Sequence, residues 1–347
     1  MTQSTISPVA RTLGIDVTVT AVIDETPEAR TIVLDFPAGT DYRPGQFITV
    51  RIPSDRTGPV ARSYSLSTAP NVDASPAITV KRTRGGYGSN WLCDNAEPGL
   101  VLHILPPSGV FTPRSWEGPL YLFAAGSGVT PVMSILRSAL AEHDTDVVLF
   151  YANRDHESTI FASAIDELTA RHPARLTVNH WLETERGLPT ADAVSGVLTD
   201  AVGTGEAFIC GPAPFMDLVE HALRAHGIHH DRVHVERYVS LTGDPFTLDA
   251  PVHEGSGASE ITVTIDGDVR AIRCGTDTVL LDALLAADVD APYSCREGDC
   301  GSCVARLTAG EVDHGNGIAL EPEDIDDGYL LTCQATPTSD RIGIEFD

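Results

Sequence analysis

The feature that most constrains this sequence is a group of three closely spaced cysteines near its carboxyl end. Cys295, Cys300 and Cys303 have the spacing C-x4-C-x2-C, and Cys333 follows after 29 intervening residues, on a predicted strand over residues 329–334. Four thiolates satisfy two tetrahedral irons, and this spacing is the ligand pattern of a plant-type 2Fe-2S cluster. We therefore predict that these four cysteines hold such a cluster.

The residues between the ligands fit a loop that wraps tightly around a cluster. Gly298 and Gly301 allow the chain to turn and to approach closely, and backbone N–H groups of such a loop can donate to cluster sulfurs. A zinc site is the alternative, but zinc favours paired C-x2-C arms over this loop. A Rieske centre would need two histidine ligands, and no histidine here has C-x-H spacing.

The net charge limits the classes of partner that the protein can bind, and the cysteine content indicates its cell compartment. The net charge of −26 disfavours nucleic acid and anionic membranes, because both present phosphates that repel an acidic surface. The last 89 residues hold five Arg and nineteen Asp or Glu. This excess of acidic residues indicates either a docking face for a basic partner or an ordinary solvated surface. Seven cysteines with this clustering suit reduced thiols, so we expect a cytoplasmic protein.

The sequence predicts neither a membrane span nor a secretion signal. The longest apolar stretch, residues 120–136, is interrupted by Gly126, Gly128 and Pro131, and therefore predicts a strand, a loop and a helix. The amino terminus lacks a basic region followed by an apolar block.

The order of predicted elements indicates three domains and one linker. Turn signals separate six short strands in residues 12–115, which predicts an antiparallel β-barrel. Residues 116–240 alternate apolar strands with helices, which predicts an α/β domain with a parallel sheet. The polar, Gly- and Pro-rich residues 241–258 are a predicted linker, and residues 259–347 predict a compact α+β module carrying the cysteine loop.

One predicted barrel strand and the glycine loop after the next strand have the residue types of a flavin site. Arg62 can pair with phosphate, Tyr64 can cover a face of a flat ring, and Ser65 can hydrogen-bond its reactive nitrogen. The loop 85–89, which alone is typical of a simple turn, precedes a predicted helix whose first N–H groups can bind phosphate. The predicted cofactor-binding residues here are Arg62, Tyr64, Ser65, Lys81, Gly86, Gly88 and Ser89.

Two loops at the carboxyl edge of the predicted parallel sheet have the residue types of a nicotinamide site. The first separates an apolar strand from a helix predicted to begin at Pro131. Because it departs from G-x-G-x-x-G, a tight turn is the alternative. The second loop ends another strand at the edge where ligands of open α/β folds bind. The predicted cofactor-binding residues are Gly126, Gly128, Thr130, Cys210, Gly211 and Pro212.

The end of the second predicted strand of this sheet carries residues that distinguish between the two nicotinamide cofactors. Asp155 can accept a hydrogen bond from a free 2′-hydroxyl, which favours NADH. Arg154 can pair with a 2′-phosphate, which leaves NADPH as the alternative. We predict NADH, with Asp155 as its ribose-binding residue.

Taken together, the motifs resemble the ferredoxin-NADP reductase superfamily, specifically oxygenase reductases with a C-terminal plant-type ferredoxin. R-S-Y-S, G-G-Y-G-S, G-S-G-V-T-P, C-G-P and the cysteine loop occur in the order flavin, nicotinamide, ferredoxin over nearly the whole chain. The resemblance implies a β-grasp fold for the ferredoxin domain and FAD rather than FMN. It also implies that Cys210 and Glu236 join Ser65 as catalytic residues near hydride transfer. Tyr238 would shield the flavin, with Phe246 as a rival for that role.

Further stretches, among them Y-G-S-N-W-L-C-D-N and A-P-Y-S-C-R-E-G, are most similar to reductase components of 3-ketosteroid 9α-hydroxylases. Reductases of phenylacetyl-CoA epoxidases share the architecture. The resemblance implies that electrons pass from NADH through FAD and the cluster, singly, to a terminal oxygenase of Rieske type. The alternatives are another ring-hydroxylating oxygenase as partner, a passive electron carrier without nicotinamide turnover, and a flavin oxidoreductase that uses a small acceptor.

Overall fold

The computed structural model describes residues 11–55, 58–198, 203–248 and 258–346. These residues contain, in chain order, a six-stranded antiparallel sheet, a five-stranded parallel sheet and a five-stranded mixed sheet. This confirms the three-part architecture that the sequence predicts. Among the helices described, not one combines the length and the apolarity that crossing a bilayer requires.

The first sheet curls into a barrel. Its strands are β2 (Ile15–Thr26), β3 (Ala29–Asp35), β4 (Phe47–Ile52), β5 (Val60–Ser65), β6 (Ala77–Lys81) and β7 (Val101–Ser108), and helix α1 (Tyr87–Asn95) follows β6. They lie in the order β5-β4-β7-β2-β3-β6, and the bridge between Leu66 and Ile78 joins the two edges. Apolar side chains such as Ile32, Val50 and Ile104 fill the interior, because alternate residues of each strand face it.

The second sheet is the predicted parallel sheet. Its strands are β8 (Leu120–Ala125), β9 (Val147–Asn153), β10 (Leu176–Leu182), β11 (Glu206–Cys210) and β12 (Val233–Glu236), and its helices are α2 (Val129–Glu142), α3 (Ala162–Arg171), α4 (Glu183–Arg186), α5 (Ala191–Ser195) and α6 (Ala213–Ala225). The order β10-β9-β8-β11-β12 reverses direction between β8 and β11. A ligand crevice therefore lies at the carboxyl ends of those two strands.

The third sheet carries the cysteine loop. Its elements are β14 (Ser259–Ile265), β15 (Asp268–Cys274), α7 (Leu280–Ala286), β16 (Val304–Ala309), β17 (Val312–Asp313), α8 (Pro322–Asp326), β18 (Tyr329–Leu331), β19 (Thr336–Pro337) and β20 (Arg341–Phe346). The main sheet has the order β15-β14-β20-β16-β18, with β14 and β20 parallel at its centre. Helix α7 contributes Leu281 and Leu284 to a core shared with Ile344 of β20. This arrangement is the predicted α+β, β-grasp module.

Residues 241–248, which we call the strap, belong to the predicted linker but are packed against the first and third domains. The Phe246 side chain is 0% exposed and lies in one apolar core with barrel and ferredoxin side chains. The Leu13 N–H donates to the Phe246 carbonyl oxygen over 2.7 Å. Residues 249–257 of the predicted linker lie outside the described residues. The strap pairs with the amino-terminal segment through strands β1 (Arg11–Thr12) and β13 (Thr247–Leu248).

Candidate active site and cluster site

The predicted flavin residues of β5 lie beside the first turn of α1. A Cβ built on Gly88 would lie 2.8 Å from Ile52 Cδ1 and 2.9 Å from Arg62 Cγ, so a larger residue there would have to displace one of these side chains. The Tyr64 hydroxyl would lie 3.4 Å from the same position. In the described chain, the N-cap residue Gly86 supplies no side-chain cap to α1, and the first N–H groups of this helix are placed to bind a phosphate beside Arg62. The residues present therefore fit a flavin phosphate.

Arg62 has a second contact that the sequence did not indicate. Its Nη1 donates to the carbonyl oxygens of Ala61, over 2.6 Å, and of Leu241, over 3.2 Å. The predicted phosphate-binding arginine therefore also contacts the strap. Ser89, another predicted binding residue, accepts a hydrogen bond from the Thr83 N–H at its Oγ over 3.0 Å, which fixes the loop before α1.

The three predicted catalytic residues converge where the barrel meets the parallel sheet. The Ser65 hydroxyl donates to Glu236 Oε2 over 3.2 Å and lies 3.1 Å from the Tyr238 hydroxyl. Cys210 pairs with Glu236 across β11 and β12, and its side chain is 0% exposed. The Tyr238 hydroxyl also lies 3.0 Å from Thr130 Oγ1, although the side chain as a whole is 46% exposed. Residues from both domains thus share one hydrogen-bonded group.

This group has unusual proton affinities. Burial raises the pKa of the Glu236 carboxyl to about 8, and the hydrogen bond from Ser65 opposes that rise. The Glu236 carboxyl is covered by the hydrogen-bonded side chains of Ser65 and Tyr238, while another part of the Glu236 side chain is exposed to solvent. Burial, followed by the nearby Glu236, holds the pKa of the Cys210 thiol well above its usual value. Both groups therefore hold their protons at pH 7, and Glu236 titrates close to neutrality.

Phe246 lies away from this group. Its ring centroid is 5.3 Å from the His103 ring and 5.7 Å from the Arg51 guanidinium carbon, inside the core between the barrel and the third domain. The structure thus places the rival aromatic in the strap core, and Tyr238 beside Ser65.

The two predicted nicotinamide loops touch at the crevice. A Cβ on Gly128 would lie 2.0 Å from the Cys210 carbonyl oxygen, and one on Gly211 would lie 2.9 Å from Ala125 Cβ. Residues 126–128 form one short turn, and α2 begins at Val129. The prediction that the helix begins at Pro131 is therefore wrong by two residues, because the turn at 126–128 leads directly into α2. Pro131 nevertheless lies in the first turn, where its missing N–H costs nothing. Pro212 occupies the N-cap position of α6.

The predicted ribose residues form an ion-pair group that includes a residue the sequence analysis missed. Arg154 Nε lies 2.9 Å from Asp155 Oδ2, and its Nη2 lies 3.8 Å from Glu28 Oε2. Lys81 Nζ lies 3.9 Å from the same Glu28 oxygen, and a Cβ on Gly126 would lie 3.8 Å from that Nζ. The Arg154 side chain and the Ser158 N–H lower the pKa of Asp155 to about 2. Glu28 sits in a hairpin turn of the barrel, and no local pattern identified it.

The four predicted cluster ligands lie in one pocket of the third domain. Cys295, Cys303 and Cys333 are buried and Cys300 is partly exposed. Cys295 contacts Cys300, and Cys303 contacts Cys333. Among the described residues, one group has three candidate ligand atoms that all lie within 4.8 Å of one another. It is the exposed group 229–231, and it contains none of the four cysteines.

The spacing of the sulfurs distinguishes the two metal alternatives. Four thiolates on one tetrahedral zinc would all lie about 3.8 Å apart, because each Zn–S bond is about 2.3 Å. No three of the four sulfurs, all within the described chain, come within 4.8 Å of one another. Two separate pairs of sulfurs fit two irons better than one zinc ion.

Local backbone geometry prepares the loop for thiolates. Gly298 has φ +83°, and a Cβ there would lie 2.6 Å from Gly317 Cα. The Glu297 N–H donates to Cys295 Sγ over 3.4 Å, and Gln334 Nε2 donates to Cys333 Sγ over 3.5 Å. The hydrogen bond from Cys300, together with loop N–H groups, lowers the pKa of Cys295, and the same bond raises the pKa of Cys300. The backbone and Gln334 donors favour the charged sulfur that an iron ligand requires.

Protein-family models match three successive parts of the chain. The oxidoreductase FAD-binding domain matches residues 16–112, and the oxidoreductase NAD-binding domain matches residues 122–221. The 2Fe-2S iron-sulfur cluster binding domain matches residues 263–338. The matched ranges contain the flavin, nicotinamide and cysteine motifs in that order.

Relatives of known name resemble the chain over nearly its full length. The 3-ketosteroid-9-alpha-monooxygenase ferredoxin reductase component of Rhodococcus rhodochrous is 50% identical, covering 95% of this chain and 96% of the relative. A component of the 1,2-phenylacetyl-CoA epoxidase of Escherichia coli K12 is 31% identical, covering 95% of this chain and 97% of the relative. The crystal structure of phthalate dioxygenase reductase shares the fold, with a TM-score of 0.57 at 23% identity, over 96% of this chain and 98% of that one.

Proposed function

The chain belongs to the family of oxygenase reductases that join FAD-binding, NAD-binding and 2Fe-2S domains, and on that basis we propose that it is the reductase component of a 3-ketosteroid 9α-monooxygenase. In this proposal, NADH is the electron donor and a terminal oxygenase of Rieske type is the acceptor. The observation that carries the proposal is the hydrogen bond from Ser65 of the flavin strand to Glu236, which lies beside Cys210 of the nicotinamide crevice.

The residues divide the work of binding and orientation. When bound, FAD takes both electrons of a hydride and releases them singly, which suits an acceptor cluster that takes one at a time. Arg62 and the first N–H groups of α1 would bind the flavin phosphate, and Tyr64 would cover the ring. Gly128 and the Cys210 carbonyl oxygen, which approach each other closely, would line the nicotinamide site. In its ionised form, which forms as the pH rises through about 8, Glu236 is placed to stabilise positive charge that develops on the nicotinamide.

The ion-pair group at the adenosine end supports NADH over NADPH. The Arg154 guanidinium forms ion pairs with Asp155 and Glu28, and these carboxylates compete with a 2′-phosphate for it. Two carboxylates at this position also repel a phosphate dianion, whereas Asp155 can accept a hydrogen bond from a ribose hydroxyl.

The steroid oxygenase is favoured over the epoxidase by sequence similarity. The Rhodococcus relative is 50% identical over nearly the whole chain, against 31% for the epoxidase component. The acidic third domain supports docking to a basic face of the oxygenase. The cytoplasmic location stays a prediction from cysteine usage.

Reconstitution tests the proposal. The purified holoprotein is mixed with NADH and with the oxygenase component of a 3-ketosteroid 9α-monooxygenase, and hydroxylated steroid is measured. A parallel reaction contains a phenylacetyl-CoA epoxidase oxygenase instead. We expect steroid product and no epoxide, whereas epoxide alone would assign the other partner.

A separate assay addresses the passive-carrier alternative. We expect NADH to drive ferricyanide reduction by the holoprotein without any oxygenase. Lack of this activity in flavin-replete, iron-replete protein would favour a carrier without nicotinamide turnover.

A further inference from the structure

A line of three hydroxyl groups joins the flavin strand to the cluster loop. Ser63 Oγ lies 3.0 Å from Thr49 Oγ1, which in turn lies 2.7 Å from Ser294 Oγ. Thr49 and Ser294 are each only 1% exposed. Ser63 belongs to the predicted flavin motif on β5, and Ser294 immediately precedes the first cluster ligand. The bond between Thr49 and Ser294 therefore crosses from one cofactor domain to the other.

The strap attaches to the cluster loop on one side. Glu297, which lies between the first two cluster ligands, accepts three hydrogen bonds at Oε1. They come from the Thr242 N–H over 2.9 Å, the Thr242 hydroxyl over 2.6 Å and the Gly243 N–H over 2.6 Å. The neighbouring Arg296 donates from Nη1 to the Thr247 carbonyl oxygen over 2.6 Å. Both side chains of the loop thus hold the strap by charge-assisted hydrogen bonds.

The strap attaches to the barrel on its other side. Asp244 Oδ2 lies 2.8 Å from Arg51 Nη2 of β4, and the Leu241 carbonyl oxygen accepts from Arg62 Nη1 over 3.2 Å. The buried Phe246 and Leu248 pack in the core that also contains Leu105 of the barrel. A segment held on both sides by polar bonds and by apolar burial is not a free tether.

We propose that Thr49 and Ser294 are positioning residues that, with the strap, hold the cluster loop against the flavin strand in one fixed arrangement. Electrons then leave the flavin for the cluster in this arrangement, one at a time, without a movement of the third domain. The inference rests on the proposed function, because it concerns the flavin-to-cluster step of that reaction. The pair is uncharged and buried, so its effect is on position and not on charge.

Two substitutions of Thr49 separate its hydroxyl from its shape. Thr49→Val keeps the volume and removes the hydroxyl, whereas Thr49→Ser keeps the hydroxyl. We expect Thr49→Val and Ser294→Ala to speed backbone amide exchange in residues 294–303 and 241–248 about tenfold, because each removes the buried hydrogen bond between the flavin strand's neighbour β4 and the cluster loop. Thr49→Ser should restore slow exchange. Because the bond is shared, the double variant should exchange no faster than the faster single variant.

Stopped-flow absorbance of the same holoproteins gives the functional readout. In Thr49→Val and Ser294→Ala, NADH should bleach the flavin at the wild-type rate while cluster reduction slows severalfold. Thr79→Val is the matched control. It removes another buried hydroxyl, whose oxygen lies 2.7 Å from Thr31 Oγ1, and this pair of hydroxyls does not contact the cluster loop. It should leave exchange in the cluster loop unchanged.

Two results would overturn the proposal: wild-type exchange in both variants, or faster exchange with an unchanged rate of cluster reduction. Failure of the proposed function looks different, because NADH would then not bleach the flavin of the wild-type protein. If Thr49→Val loses iron on purification, Asp244→Asn provides the same test. It weakens the strap at Arg51 without altering either hydroxyl.

Discussion

Adding one methyl group at Gly128 should block the nicotinamide crevice without touching either of the other two sites. A Cβ there would lie 2.0 Å from the carbonyl oxygen of Cys210, and real Cβ atoms essentially never come closer than 3.0 Å to such an atom. At least about 1 Å of movement must therefore be absorbed. Both sides of the contact are backbone, at the end of β11 and the start of α2, so no side chain can rotate to relieve it.

A displacement of about 1 Å at a reacting site can reduce the rate about a hundredfold. We therefore expect Gly128→Ala to lower kcat/KM for NADH about a hundredfold in a ferricyanide assay, which corresponds to about 2.7 kcal/mol. Flavin content and the visible spectrum of the cluster should stay at wild-type levels. Gly203→Ala is the matched control, because a Cβ at Gly203 meets nothing within 4 Å. A Gly128→Ala protein with kcat/KM within threefold of the control would refute this reading of the crevice.

Three further predictions concern the other sites. Cys300→Ser should lose iron and acid-labile sulfide while NADH still bleaches the flavin, since the flavin and cluster sites are built by different domains; metal analysis that finds full iron would contradict the ligand assignment. Asp155→Ala should raise kcat/KM for NADPH about tenfold by freeing Arg154 for the 2′-phosphate. In the wild type the NADH preference should stay constant between about pH 7.5 and 9, because Asp155, with a pKa of about 2, and the 2′-phosphate, with a second pKa of about 6, both keep their charge in that range. Flavin reduction by NADH should accelerate as the pH rises through about 8, where Glu236 becomes a carboxylate that stabilises the developing nicotinamide cation, and Glu236→Gln should remove this pH dependence; a wild-type profile without that step would contradict the role.

Much of the fold was predictable because its signals are local. Short β-rich runs separated by turn signals in the first third predicted six strands, and the barrel has six, with boundaries that differ by a few residues. Asp266 and Gly267, between β14 and β15, have the sequence of a tight hairpin turn, and both residues have positive φ, at 51° and 83°. The cysteine spacing predicted a tight loop, and in the structure Gly298 of this loop passes close to Gly317. Each of these features is decided by neighbouring residues.

The contacts that escaped prediction join residues far apart in the sequence. The Gly- and Pro-rich composition of 241–258 predicts a linker, but Leu241, Phe246 and Leu248 at its start pack in a core made by two other domains. Glu28 lies in a hairpin turn, and only the packing of the barrel on the parallel sheet brings it to Arg154. Composition describes what a segment can do alone, whereas these contacts depend on how whole domains meet.

One chain, we infer, carries electrons from NADH through a flavin to a cluster held by Cys295, Cys300, Cys303 and Cys333. Anaerobic titration of the purified holoprotein with NADH, followed by low-temperature electron paramagnetic resonance, tests this directly. We expect the flavin to bleach and the signal of a reduced 2Fe-2S cluster to grow to one cluster per chain. A bleached flavin beside a cluster that stays oxidised, or protein that contains no iron or labile sulfide, would contradict it.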